Sequence, residues 1–141
     1  MPRKPKTARK GTMPRDVLVV EDDAILGMAI EQALLDAGVE TVSLCPSASS
    51  TLEQLREGKP DVVLIDVHLA DSDNGWGIAE MVDAIGSDAP RIIFQTGSPD
   101  DIPEDVAKLG PVLSKPYDAS ELIELVREQQ KGGLLSALRL G

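Results

Sequence analysis

Short apolar runs alternate with helical patterns five times along this chain, and that alternation limits the fold more than any other feature. The runs are Asp16 to Val20, Thr41 to Cys45, Asp61 to Asp66, Arg91 to Gln95 and Pro111 to Ser114. A helix is expected over Ala24 to Ala37, where Ile25, Met28, Ala29, Gln32, Ala33 and Leu35 fall near helical spacing and Gly38 supplies the stop. A second spans Ala48 to Glu57, stopped by Gly58 and Pro60, and a third Trp76 to Ile85. The Pro-containing segment from Gly97 to Gly110 has room for one short helix, near Glu104 to Lys108. The last helix opens at Asp118, spaced with Glu121 as a capping box, and shows Leu122, Ile123, Leu125 and Val126 on its apolar face. Repeated strand–helix units predict parallel strands joined by crossover helices. Right-handed crossovers then give an α/β, doubly wound, three-layer sandwich with a five-stranded sheet. Val62 to Ile65 is the most apolar run and is expected at the centre, buried on both faces.

Composition narrows the function. The chain has 141 residues, one domain's worth, and 42% hydrophobic residues, enough for a core. Only 2% are aromatic: Trp76, Phe94 and Tyr117. Reading nucleic acid by base stacking is therefore not expected. Acids number 24 against 14 bases, for a formal charge of −10, which repels DNA and anionic lipid. Residues 1–15 hold six of those bases and no acid, and are read as a disordered basic tail. Residues 132–141 begin with two glycines and are read as a flexible C-terminal tail, leaving 16–131 as the folded unit. The lone Cys45 excludes an internal disulfide and a thiolate zinc site. No apolar stretch is long enough to span a bilayer, and the basic N-terminus lacks the apolar run of a signal peptide. A cytoplasmic location is expected, with no membrane and no DNA-binding domain. Met13 is a second candidate start within the basic N-terminal tail.

Ligands of such sheets bind at the carboxyl ends of the strands. The first strand ends in Glu21, Asp22 and Asp23, the third in Asp66, the fourth in Thr96, and the fifth in Ser114 and Lys115 before Pro116. Each alone has an ordinary structural explanation: acids suit a helix N-terminus, and lysine before proline suits a turn. Their conjunction at one edge points to chemistry. Clustered carboxylates favour a divalent cation, and hard oxygen ligands point to Mg²⁺. Asp66 is then placed as a nucleophile of the aspartyl-phosphate kind. Lys115 is a point charge for a phosphoryl oxygen, and Thr96 supplies a hydroxyl donor.

The run Val17-Leu18-Val19-Val20-Glu21-Asp22-Asp23, then Asp66 after Val62-Val63-Leu64-Ile65, then Thr96-Gly97, then Lys115-Pro116, resembles the receiver domain of two-component response regulators. The resemblance covers about residues 16–131. It implies a CheY-like, flavodoxin-like fold with strand order 2-1-3-4-5. It makes Glu21 and Asp22 the acidic pair and Asp66 the phosphoacceptor. Thr96 becomes the family's hydroxyl, Lys115 its lysine, and the backbone carbonyl of His68 a further Mg²⁺ ligand. It also suggests a cis peptide between Lys115 and Pro116. The implied partner is a histidine kinase or histidine phosphotransfer protein. The implied activity is phosphoryl acceptance that switches a protein–protein interaction or drains phosphate, in a stand-alone bacterial signalling protein and not an enzyme. A monomer or a phosphorylation-dependent dimer is expected.

Three features depart from the pattern. Val112 stands where the family carries an aromatic on strand five. The loop after Asp66 has Ala70 in place of proline and is one residue longer before Gly75. The segment between Thr96 and Lys115 is short. Phe94-Gln95-Thr96-Gly97 is similar to the Phe-x-Thr-Gly strand end of a single-domain subgroup served by HWE-type histidine kinases, with Ser98-Pro99 in place of that subgroup's tyrosine.

Two alternatives compete. A haloacid-dehalogenase-type phosphatase also uses an Asp nucleophile, Thr, Lys and Mg²⁺. It needs a second Asp two residues after the nucleophile, where this chain has His68, and an acidic pair after the nucleophile, not before it. A degenerate receiver that only binds partners is disfavoured by the intact set of site residues. Asp71-Ser72-Asp73-Asn74-Gly75 mimics a calcium loop, but the twelfth position would be Val82 in place of an acid. His68 is the one histidine and stands beside the site as a solvated side chain or a modulator of water access. Cys45 is expected as a small buried thiol, and Trp76 as a packing residue at its helix start near the acidic pocket.

Overall fold

The computed structural model describes residues 12–68, 76–86 and 88–127. The parallel sheet comprises β1 (Asp16–Val20), β2 (Thr41–Cys45), β3 (Val62–Asp66), β4 (Arg91–Thr96) and β5 (Val112–Ser114), in the order β2-β1-β3-β4-β5. The helices are α1 (Ala24–Asp36), α2 (Ala48–Glu57), α3 (Trp76–Asp83), α4 (Glu104–Ala107) and α5, helical over residues 119–127. The expected fold class and strand order are both found. A 3-10 turn at Pro99–Asp101 precedes α4 and was not expected from the sequence.

Strand parity divides the core in two. Leu18, Val20, Val63, Ile65, Ile92 and Phe94 face one way and meet Ile78, Ala79 and Val82 of α3 and Val106 of α4. Val17, Val19, Val62, Leu64, Ile93 and Leu113 face the other way, against Ile30 and Leu34 of α1 and Leu122 and Val126 of α5. Val62 to Ile65 are each 0% exposed, as a central strand covered on both faces must be. Burying each such side chain contributes about 1.5–3 kcal/mol.

The face of α1 needs correction. Ile25, Met28 and Leu35 lie outward, at 82%, 61% and 39% exposure, while Gly27, Ile30 and Leu34 face the sheet. Both stripes are apolar at helical spacing, so periodicity alone does not select one. The entry of the chain selects it, because the Asp23 side chain accepts from Ile25 N and Leu26 N and fixes the first turn. Gly38 ends α1 at φ 112°, as expected of a left-handed cap. Asp118 N donates to Glu121 Oε1 at 3.1 Å, one half of the expected capping box.

Met13 packs against the α1–α5 side of the core, so chain–core contact begins before β1. Within the expected N-terminal tail, Pro14 is buried and Arg15 N donates to Asp61 Oδ2 at 3.1 Å. Residues 1–11, the expected C-terminal tail, the 71–75 motif, Ala70 and the Trp76 side chain lie outside the described residues. Among the described residues, no helix is long and apolar enough to cross a membrane.

Candidate functional site

The carboxyl ends of β1, β3, β4 and β5 meet at one edge. Glu21 N donates to Cys45 O at 3.0 Å, which extends the β1–β2 ladder by one residue and carries the Glu21 side chain into the interior. Glu21 is 5% exposed and Asp66 4%. Asp22 is exposed, yet carboxylate oxygens of Glu21, Asp22 and Asp66 all lie within 4.8 Å of one another. Asp23, last of the acidic triplet, leaves the cluster to cap α1. The triplet therefore serves two ends: two acids at the site and one at the helix start.

Lys115 closes the cluster. Its Nζ stands 3.1 Å from Glu21 Oε1 and 3.2 Å from Asp66 Oδ2. Lys115 N donates to Thr96 O at 2.8 Å, so β4 carries the lysine to the acids. The Lys115–Pro116 bond is cis, as the resemblance suggested. Burial lowers the lysine's pKa, but the hydrogen bond to Glu21 and the charges of Asp66 and Glu21 outweigh it, and the net shift is upward. Glu21 shifts up as well. Burial is the main cause and the Asp66 charge adds to it, against the Asp23 N–H and Lys115. An acid held this way is relieved by any added cation.

Thr96 is fully buried at the end of β4, and its Oγ1 accepts from Ser98 N at 2.9 Å, leaving its O–H to donate. It stands one residue beyond Gln95, which registers with Asp66. His68 is exposed, and its backbone N–H donates to Asp66 Oδ1 at 3.0 Å. That bond folds the chain tightly after β3. Cys45 is buried, as expected, and burial raises its thiol pKa.

Two residues at the site received no role from the sequence. Gln95 is 0% exposed, and its Nε2 donates to Glu21 Oε1 at 3.1 Å. The Tyr117 hydroxyl donates to Gln95 Oε1 at 2.6 Å. Burial first, then the charges of Glu21 and Asp66, push the Tyr117 pKa far upward, so the phenol stays protonated and a donor. The available signal was a glutamine inside the apolar run Ile92-Ile93-Phe94-Gln95, on a strand covered on both faces. A buried amide there must find partners.

The donor set fits a hard divalent cation. Three carboxylates supply oxygen ligands, two of them withdrawn from water, and no sulfur or imidazole competes. The remaining groups, one ammonium and one buried hydroxyl, suit the oxygens of a phosphoryl group.

The chain is similar to known proteins. The profile of the response regulator receiver domain matches residues 17–127. The chain is 29% identical over 124 residues to the transcriptional regulatory protein PdtaR of Mycobacterium tuberculosis, covering 86% of this chain and 60% of PdtaR. It is 24% identical over 118 residues to the chemotaxis protein CheY of Bacillus subtilis, covering 82% of this chain and 98% of CheY. A CheY-like receiver domain from Methylobacillus flagellatus superposes with a TM-score of 0.74 at 20% identity, over 82% of this chain and 98% of that one. The chain thus spans less than two thirds of PdtaR and nearly all of CheY. The receiver profile decides between the receiver reading and the phosphatase alternative. With the fold, the strand order and the profile in agreement, this chain belongs to the response regulator receiver domain family, the signalling domains of two-component systems.

Proposed function

We propose that Asp66 accepts a phosphoryl group from a histidine kinase or histidine phosphotransfer protein, in a reaction that requires Mg²⁺. The observation that carries this reading is the packing of Glu21, Asp22 and Asp66 within 4.8 Å, with the Lys115 ammonium 3.2 Å from Asp66. Glu21, Asp22, Asp66 and the backbone carbonyl of His68 would hold the ion. When bound it supplies positive charge against the cluster and against the incoming phosphoryl oxygens.

The chain's own groups do the rest. The Asp66 carboxylate attacks phosphorus, the bond from phosphorus to the donor's imidazole nitrogen breaks, and an acyl phosphate forms. Lys115 turns from Asp66 to a phosphoryl oxygen, as a point charge on a flexible stem permits. The Thr96 hydroxyl donates to another oxygen, and its movement draws the chain after β4. Water later hydrolyses the acyl phosphate. The output is a change in protein contacts made by residues 16–131, which act in the cytoplasm as a switch and not as a turnover enzyme.

Acetyl phosphate or a cognate kinase is expected to add one phosphoryl group to the wild type, only with Mg²⁺, as a base-labile adduct seen by intact mass. Asp66→Asn should stay unlabelled; equal labelling of both would sink the assignment. The Phe94-Gln95-Thr96-Gly97 run makes HWE-type kinases the first members of a phosphotransfer panel.

A further inference from the structure

Gln95 sits on the face of β4 that it shares with Ile93, toward α1 and α5, where it has no solvent to satisfy its amide. The two ends of that amide are not interchangeable. A carboxylate only accepts, so the end facing Glu21 must be the NH₂. The other end, the carbonyl, needs a donor, and the Tyr117 hydroxyl supplies it at 2.6 Å. Turned over, the amide would set its oxygen against the Glu21 carboxylate. The phenol proton therefore locks Gln95, and Gln95 in turn fixes Glu21.

Glu21 is held at both oxygens. Oε2 accepts from Asp23 N at 3.1 Å, while Oε1 accepts from Lys115 and Gln95, each at 3.1 Å. Of these donors, Lys115 is the one with a second task, at the phosphoryl group. When it leaves, Gln95 is the side-chain donor that stays on Oε1. A neutral amide does this without competing with a cation for the carboxylate's charge.

We propose that Gln95 and Tyr117 are positioning residues for Glu21, a buried relay that aims its carboxylate at the metal site. The proposal rests on the reading of Glu21 as a Mg²⁺ ligand. Tyr117 does this from outside the cluster: it packs against the core between the sheet, α1 and α5, beside a cleft of about 110 Å³ lined by Leu26, Ala29, Ile30, Ala33 and Leu122, while its hydroxyl reaches Gln95. The relay ties the metal site to that α1–α5 face, on the opposite side of the sheet from the face carrying Phe94 and Thr96.

The test is calorimetric titration of the full chain with MgCl₂, paired with thermal melts in EDTA, for wild type, Tyr117→Phe, Gln95→Leu, the double variant and Glu21→Gln. Tyr117→Phe keeps the ring and removes one proton donor, so it should fold while binding Mg²⁺ about tenfold more weakly, the usual scale for a group that orients a ligand. Gln95→Leu should weaken binding at least as much, and the double variant no more than Gln95→Leu alone, because Tyr117 acts through Gln95. Gln95→Leu leaves the phenol without its acceptor and should melt lower. The double variant replaces both partners with apolar groups and should recover melting temperature without recovering Mg²⁺ affinity. The Gln95 side-chain amide signals in ¹⁵N–¹H spectra should move in Tyr117→Phe without metal. Wild-type affinity retained within about twofold in Tyr117→Phe and Gln95→Leu overturns the proposal. So does recovery of affinity together with melting temperature in the double variant. If the wild type itself shows no Mg²⁺ binding that Glu21→Gln abolishes, the ligand reading falls first and takes the relay's role with it.

Discussion

Lys115 sits between two buried carboxylates, and its removal is not a simple loss of a phosphate-binding charge. Glu21 and Asp66 would face each other without a counter-charge. Breaking a buried pair by removing one partner costs about 3–5 kcal/mol, and the lysine's quarter exposure reduces this to about 1–3 kcal/mol. Lys115→Ala should therefore melt below wild type in EDTA and show a larger Mg²⁺-induced rise, while phosphorylation falls sharply. Lys115→Arg should not restore phosphorylation, since a planar fork does not replace a point charge. Equal melting of wild type and Lys115→Ala in EDTA would contradict the bridging role. Glu21 gives a pH test with a definite sign. Its pKa in the fold is above its ordinary value of 4.5, so native protein binds that proton more tightly than unfolded chain. The stability this contributes is full below the ordinary value and is lost as pH rises through the raised one. In EDTA, the melting temperature of wild type relative to Glu21→Gln should fall as pH climbs from about 4.5 toward neutrality. A difference that stays flat with pH would refute the shift.

At the scale of elements, the segment between β4 and β5 is pinned at one end and open at the other. A Cβ on Gly110 would collide with the backbone carbonyl of Ile92, whereas a Cβ on Gly97 would meet nothing within 4 Å. Gly110→Ala forces backbone apart and should cost about 1–3 kcal/mol, toward the upper end because no flexible side chain can yield. Gly97→Ala should leave urea unfolding near wild type, and similar midpoints for the two variants would rule out the close approach. The same asymmetry directs motion. In the proposed mechanism Thr96 pulls on the Gly97 end; the 3-10 turn and the four-residue α4 are short, and β5 has three residues. Val112 supplies no ring to swing, so the expected response is ordering of this segment and of β5. Hydrogen exchange with and without beryllofluoride should show protection over 97–114. An effect confined to α2 would exclude this route.

For the whole molecule, the proposed Mg²⁺ site predicts that stability depends on metal. A ligand that binds only the native state adds RT ln(1 + [L]/Kd), so Mg²⁺ at tenfold its Kd contributes about 1.4 kcal/mol. For a domain of this size that is a rise of about 3–6 °C in Tm. Asp22 is the exposed member of the cluster and has no part in the Lys115 bridge. Asp22→Ala should relieve repulsion, melt above wild type in EDTA, and lose most of the Mg²⁺ shift. Asp83→Asn, on the exposed end of α3, should keep the full shift. Thermal melts with EDTA and with excess Mg²⁺ check both. If Asp22→Ala keeps the wild-type shift, the cluster is not the metal site.

The amino-acid sequence determined the layers and which polar residues stand at the strand ends. Apolar runs, helix caps and the alternation of elements are local signals, and parallel strands place their carboxyl ends at one edge whatever the side chains do. Asp66, Thr96 and Lys115 were legible for that reason: each immediately follows or ends an apolar run. The inward face of α1 was not, because two apolar stripes satisfy the same period and the Asp23 cap selects between them. Nor was the Tyr117–Gln95–Glu21 relay. Gln95 and Glu21 lie 74 residues apart, and their pairing exists only once β1 and β4, each beside β3, bring both side chains to the same face of the sheet. The chain order carries the parity of each strand; which buried polar groups then meet is decided by the register between strands and the helices that close over them.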